Sequence, residues 1–243
     1  IKIMELPIIY HPDYIAPLPP GHRFPMSKFE KLYELLLAEG VAQTTQFHTP
    51  KRPPPELIEL VHTSEYVKAY CEGTLEPKAQ RRIGLPWSPE LVNRTCVAVG
   101  GTILTAQMAL SQGLACNTAG GTHHAFPSYG SGFCIFNDLA IACRVLQKLG
   151  LVQKILIVDL DVHQGDGTAF IFQKDESVFT FSMHCEVNFP GTKQVSDLDV
   201  PLTVGMEDDA YLQTVAHYLP DLLAAVQPDL VLYDAGVDPH IGD

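Results

Sequence analysis

No stretch of this chain approaches the ~18 consecutive apolar residues that a membrane-spanning helix requires. Residues 1–7 also lack the basic and apolar regions of a secretory signal, so neither a membrane partner nor export is expected. The first residue is not Met, and the chain reads as trimmed at its front. Basic residues are scarce: 16 Lys and Arg stand against 28 Asp and Glu, giving a net charge of −12. Direct nucleic-acid binding wants a basic face and is not expected, whereas cationic partners such as lysine-rich peptides or polyamines suit an acidic protein. The six cysteines include no CxxC pair and no regular spacing. They read as reduced thiols of a cytoplasmic protein, or a nuclear one in a eukaryote. Internal repeats and low-complexity tracts are absent as well.

What remains is a 243-residue chain, 46% hydrophobic, long enough to bury one sizeable core. Residues 6–10 and 42–47 read as strands. Residues 27–39, capped by Ser27, read as a helix, with shorter helices over 55–60 and 64–71. A long helix is expected over 88–112, with Pro89 in its first turn and Gly100 and Gly101 packing closely on a neighbour. Strands then alternate with helices: strands over 114–118, 154–160, 178–183 and 230–233, helices over 137–149, 167–172 and 207–226. That alternation predicts an α/β fold with a mostly parallel sheet and helices on both faces. Four of these strands run into polar clusters, at 120–124, 159–166, 184–191 and 234–243. Clusters at the carboxyl edge of one sheet make a site.

The densest cluster holds Asp159, Asp161, His163 and Asp166 within eight residues, just past an apolar, β-branched strand. Side chains alternate along a strand, so Asp159, Asp161 and His163 point the same way if the extended geometry persists. Acids packed this tightly need a compensating charge, and a divalent metal is the simplest one. Asp161 and His163 would bind it together, with a third carboxylate from Asp234, Asp238 or Asp243. Two carboxylates, one imidazole and an open position suit catalytic zinc, with iron(II) as the competitor. The plain alternative is a solvated acidic loop around a structural histidine.

His123 and His124 follow a Gly120-Gly121 turn. Adjacent histidines on an extended chain diverge, so different partners are expected for the two rings. Asp159 and Asp166 are the candidate orienting carboxylates, and a histidine held by an aspartate is a general base. The glycine-rich segment 130–138 does not match GxGxxG, which argues against a phosphate loop. Phe133 within it, and Phe189, could line a substrate channel or serve as ordinary core.

Taken together, these motifs resemble the histone deacetylase family, which includes acetylpolyamine amidohydrolases. The matching pieces are His123-His124, the run from Gly132 to Cys134, residues 159–167, 182–184, 189–191 and 234–243, in family order over most of the chain. Residues 22–26 and 84–90 look closest to class IV and bacterial relatives. The resemblance implies an arginase/deacetylase-like, three-layer α/β/α fold with a mainly parallel, eight-stranded central sheet. It matches Asp161, His163 and Asp243 to zinc ligands. It matches His124, paired with Asp166, to the general base, and His123, paired with Asp159, to its neighbour. Asp159, Ser182 and Met183, with Asp161 and His163, match a structural potassium site. Gly132, Phe133 and Phe189 match the walls of an acyl-lysine tunnel, and Arg23 an arginine near an internal cavity. Residues 1–243 thus read as one catalytic domain, ending before the family's Gly-rich tyrosine motif.

The expected activity is zinc-dependent removal of acetyl or longer acyl groups from lysine side chains, in a peptide or protein, or from acylated polyamines. Two alternatives stand beside it. A silent module would hold metal and acyl-lysine without turnover, for want of the tyrosine. An arginase-type ureohydrolase would want an Asp-x-His-x-Asp run, where this chain has Asp-x-Asp-x-His. Oligomeric state is not legible.

Overall fold

A computed structural model describes residues 5–242, and the chain divides after Leu146 into two compact units. The first contains three short parallel strands: β1 (Ile8–Ile9), β2 (Phe47–His48) and β3 (Cys116–Asn117), ordered β2-β1-β3. Its helices are α1 (Lys28–Ala38), α2 (Pro55–Ile58), α3 (Ser64–Cys71), α4 (Pro77–Ile83) and α5 (Pro89–Gln112), with α6 (Asp138–Lys148) running across the division. Helix α5 starts as its sequence dictates. The Ser88 hydroxyl accepts from Leu91 N–H at 3.0 Å, and Pro89 occupies the first turn, where no amide hydrogen is needed. Its Gly100-Gly101 pair packs closely, as expected. A Cβ at Gly100 would lie 2.0 Å from the Lys51 carbonyl oxygen, and one at Gly101 2.0 Å from the Tyr14 hydroxyl.

The second unit carries a four-stranded, all-parallel sheet ordered β6-β5-β4-β7. Its elements in chain order are β4 (Ile155–Asp159), α7 (Asp166–Phe172), β5 (Val178–Cys185), β6 (Leu198–Leu202), α8 (Asp208–Val226) and β7 (Leu230–Asp234). Every residue of β4 is buried, as befits a central strand covered on both faces. Leu156, Val158, Phe181, Met183 and Val200 form a core with Leu222 of α8, against which Tyr211, Val215, Tyr218 and Leu219 pack. Register aligns Asp159 of β4 with Ser182 of β5 on one side and Asp234 of β7 on the other. Three polar residues therefore stand abreast: Asp159 and Asp234 at the carboxyl ends of β4 and β7, and Ser182 three residues before the end of β5.

Several expectations change. The strands pair as two sheets rather than one, and β3, which feeds the histidine loop, belongs to the three-stranded sheet. The strand expected over 42–47 is mostly a 3₁₀ turn, Thr44–Gln46. The Gln46 side chain accepts from Gln43 N–H at 2.8 Å, a capping box that closes the turn. Ser27 makes no side-chain cap bond to α1. Helix α4 and strand β6 were not anticipated. Pro201 masks β6 in the sequence, but β6 is an edge strand, where a missing amide hydrogen costs little.

Candidate metal centre and histidine loop

The second unit builds its polar site from the end of β4. The strand stops at Asp159, and residues 161–163 bend, so strand alternation does not direct these side chains. Hydrogen bonds within the loop do. Asp159 Oδ1 accepts from Asp161 N–H at 3.1 Å, and Asp161 Oδ1 from His163 N–H at 2.8 Å. Asp238, four residues past β7, accepts from Val162 N–H at 2.9 Å through Oδ1. Its Oδ2 lies 2.9 Å from His163 Nδ1, which is also 3.0 Å from Asp161 Oδ1. A ligand atom from each of Asp161, His163 and Asp238 lies within 4.8 Å of the other two.

These side chains are part-exposed, at 17%, 30% and 20%, so the group is reachable from solvent. Hydrogen bonds to Asp161 and then Asp238 outweigh the burial cost and push His163 up to about 9. The pair of carboxylates thus concentrates negative potential at one nitrogen, which takes a proton when nothing else is offered. Two carboxylate oxygens and one imidazole nitrogen converging with an accessible side fit a divalent metal ion. Asp238 was one of three sequence candidates for the third carboxylate; Asp243, matched to that role by resemblance, lies outside the described residues.

Asp159 is 3% exposed, and Ser182 and Met183 are buried beside it on β5. The Ser182 hydroxyl is 2.9 Å from His184 Nδ1. Asp166 opens α7, buried, with its Oδ1 accepting from Gly167 N–H at 3.0 Å. Phe189 stands edge-on to His163, with ring centroids 6.1 Å apart, and is 41% exposed, which excludes an ordinary core role for it.

In the first unit His123 and His124 are both buried. The expected divergence of their rings does not occur. Both sit in a turn rather than an extended segment, so the rings converge, with Nε2 atoms 3.1 Å apart and centroids 4.1 Å apart. At that distance one Nε2 donates and the other accepts.

Phe133 holds a left-handed backbone, φ 66°, unusual for a residue with a side chain. Its N–H donates to the Ile83 carbonyl at 2.8 Å. The absent side chain at Gly84 leaves room for its ring, which packs on Phe24 at 5.2 Å. Gly132, also at positive φ, precedes it. Arg23 is exposed, with its guanidinium 4.7 Å from the Phe133 ring centroid.

Sequence reasoning missed the groups beneath the histidine loop: His62, Asn137 and Asp138, all buried. Asn137 and Asp138 were read as a helix start, and a polar pair at a helix start gives no sign of what else it binds.

The sequence matches the Histone deacetylase domain family over residues 22–243. It is 68% identical over 240 residues to an uncharacterized protein of Picosynechococcus sp. (strain PCC 7002), covering 99% of this chain and 80% of that protein. It is 31% identical over 258 residues to the acetoin utilization protein AcuC of Bacillus subtilis, covering 97% of this chain and 66% of AcuC. The chain therefore spans only part of these relatives. Among solved structures, an HDAC homolog complexed with SAHA superposes with a TM-score of 0.84 at 25% identity, covering 98% of this chain and 70% of that one. An HDAC homolog from Aquifex aeolicus gives 0.82 at 24% identity, a likeness of fold.

Proposed function

Because this chain belongs to the histone deacetylase family, with its α/β arginase/deacetylase fold, we propose that it is a zinc-dependent hydrolase. It removes acetyl or longer acyl groups from lysine side chains or related amines. The family places it among deacetylase-type hydrolases; the ion, the acyl length and the residue roles are our reading. One observation carries it: the convergence of Asp161, His163 and Asp238 on a single point.

We assign the ion to those three residues, with zinc preferred over iron(II) because a given nitrogen and oxygen site binds zinc more tightly. A divalent ion bound there supplies Lewis-acid polarisation of the amide carbonyl and acidifies water. His124 acts as general base through Nε2, taking a proton from water. A protonated histidine of the pair then returns it to the departing amine, so that amide and water become carboxylate and amine. His123 shares the proton load through its Nε2 contact. On the family resemblance, Asp159 and Asp166 are the carboxylates that would orient the imidazoles. Gly132, Phe133 and Phe189 line the path of the apolar acyl-lysine stem, and Arg23 braces Phe133 from outside. Asp159, Ser182 and Met183 would hold a structural potassium ion. The substrate is an acylated lysine of a peptide or protein, with acylated polyamines as the competing class. We place the protein in the cytoplasm, a reducing compartment suited to its six free thiols. No helix among the described residues is long and apolar enough to cross a membrane.

The test is a thermal-shift titration with a hydroxamate, with and without zinc, beside an activity panel of acyl-lysine peptides and acetylpolyamines. Stabilisation only with metal, one zinc per chain, and turnover abolished in His124→Ala with zinc content unchanged are expected. Equal stabilisation after metal removal would overturn the zinc-centred reading. Metal and hydroxamate binding without turnover would replace hydrolysis by simple recognition.

A further inference from the structure

A buried polar cluster that the proposed chemistry does not use lies at the first turn of α6. Asp138 is 1% exposed, and four donor groups face its carboxylate. Oδ1 accepts from Thr122 N–H at 2.7 Å and faces the Thr122 hydroxyl at 2.5 Å, whose one hydrogen it shares with the Phe136 carbonyl. Oδ2 accepts from Gly121 N–H at 3.2 Å and from the Thr102 hydroxyl at 2.5 Å. The preceding residue, Asn137, caps α6 by accepting from Ala140 N–H at 2.9 Å. Its amide hydrogens face the carbonyls of His123 and Ala125, each at 3.5 Å. Asp138 thus grips the backbone just before the tandem histidines, while Asn137 reaches the carbonyls on either side of His124.

Two further features show that the arrangement is built. His62 Nε2 accepts from Asn137 N–H at 2.9 Å, and its Nδ1 faces the Phe126 carbonyl at 3.0 Å, tying the clamp to the far end of the same loop. Gly120 approaches so closely that a Cβ there would lie 2.5 Å from Asp138 Oδ2 and 2.9 Å from the Thr102 hydroxyl. Its φ of +110° is one that only glycine adopts without strain. Any side chain at position 120 would open the contact.

We propose that Asn137 and Asp138 are positioning residues, a clamp that fixes the tandem-histidine loop and with it the direction of the two Nε2 atoms. The inference rests on the hydrolase reading for its catalytic consequence, but not for its structural one. Loop backbone has no ladder to satisfy its amides. Here two consecutive amides and two hydroxyls converge on one carboxylate, and hydrogen bonds to an ionised acceptor are the stronger kind. A general base must be held to within about half an ångström of its working position. An amide in place of the carboxylate fails for a simple reason. The Thr102 hydroxyl can turn to accept from the NH₂ that Asp138→Asn introduces, but Gly121 N–H cannot, so one donor is left facing another. A carboxylate that served α6 alone, through the helix dipole, would need none of Gly121, Thr122 or Thr102.

The test compares Thr122→Val, which keeps the shape and removes the hydroxyl, with Thr122→Ser, which keeps the hydroxyl, and with Asp138→Asn, all in the full chain loaded with zinc. Turnover of an acetyl-lysine peptide is measured per site titrated with a hydroxamate, so misfolded protein is not counted. Thr122→Val is expected to lower kcat at least about tenfold with KM within about twofold, and Thr122→Ser to restore it. Independently of turnover, nitrogen-15 spectra of the His123 and His124 rings should show one set of signals in the parent and in Thr122→Ser. Broadened or doubled signals are expected in Thr122→Val and Asp138→Asn. Unchanged ring spectra and unchanged kcat per site in Thr122→Val would overturn the clamp, as would an equal loss in Thr122→Ser. If Asp138→Asn fails to fold, the Thr122 pair still decides. A parent that binds zinc without turnover, with the spectral change still appearing in Thr122→Val, would sink the hydrolase reading and uphold the clamp.

Discussion

His62 offers a prediction whose size follows from its surroundings. The ring is 2% exposed, and both nitrogens are committed. Because Nε2 accepts from Asn137 N–H, the single ring proton sits on Nδ1 and donates to the Phe126 carbonyl. A second proton would set Nε2–H against Asn137 N–H inside the core. Burial is the main cause that pulls this imidazole down from 6.5 to about 4, against the smaller opposing pull of the Phe126 carbonyl. Between those two values the unfolded chain binds more protons than the folded one, so stability rises with pH across the window. It is complete above the unfolded value and is lost as pH falls from 6.5 towards 4. The linkage amounts to about 2 kcal/mol between roughly pH 7 and pH 5. Urea unfolding of the parent and of His62→Gln over that range measures it. Glutamine cannot titrate, so whatever the substitution costs overall, its stability should fall by about 2 kcal/mol less on acidification. Identical pH dependence in the two proteins would refute the buried neutral tautomer.

Other outcomes follow from single contacts. Asp238→Asn should weaken zinc binding by at least about 100-fold in a chelator competition, since even outer partners of metal ligands cost ~10–100-fold; a comparable loss in Asp243→Asn alone would transfer the third-ligand role to Asp243. Phe133→Gly should be more stable than Phe133→Ala by about 1 kcal/mol in urea, because both lose the ring but only glycine accepts φ 66° freely; equal stabilities would mean that no strain is held there. At Gly236 a Cβ would meet Asp161 Oδ2 at 2.5 Å and its Cα at 2.7 Å. Gly236→Ala should therefore displace Asp161, with stability lost by ~1–3 kcal/mol and zinc binding weakened, both checked by calorimetry.

Regular elements were legible where local and tertiary preferences agree. β4 announces itself because Ile155, Leu156, Ile157 and Val158 are β-branched or apolar and buried on both faces, and α5 because Ser88 and Pro89 mark its start in chemistry that does not depend on packing. Elements were lost where one local signal pointed elsewhere. Pro201 argues against a strand, and only its place in an edge strand makes it tolerable. Thr44 and Thr45 favour extended backbone, yet the Gln43–Gln46 capping box closes a turn there. Pairing of strands into sheets is set by contacts far apart in sequence, so one sheet could not be told from two.

The site was legible for a reason that turns out to be different from the one that operates. Alternation along a strand would align Asp159, Asp161 and His163, but the strand ends at Asp159. What directs Asp161 and His163 is a relay of short-range bonds, each carboxylate bonded to the N–H two residues on: Asp159 to Asp161, then Asp161 to His163. Aspartate is the residue whose side chain is short enough to reach that amide, so the same spacing of two serves a bend as well as a strand. Asp238 joins through Val162 N–H, the amide this relay skips. Asp161 and Asp238 thus each spend one oxygen lone pair on loop backbone and keep others for the point where His163 Nδ1 lies. A loop whose amides are satisfied by its own ligands holds those ligands in place before any ion arrives, and that preorganisation is what a run of Asp-x-Asp-x-His encodes here.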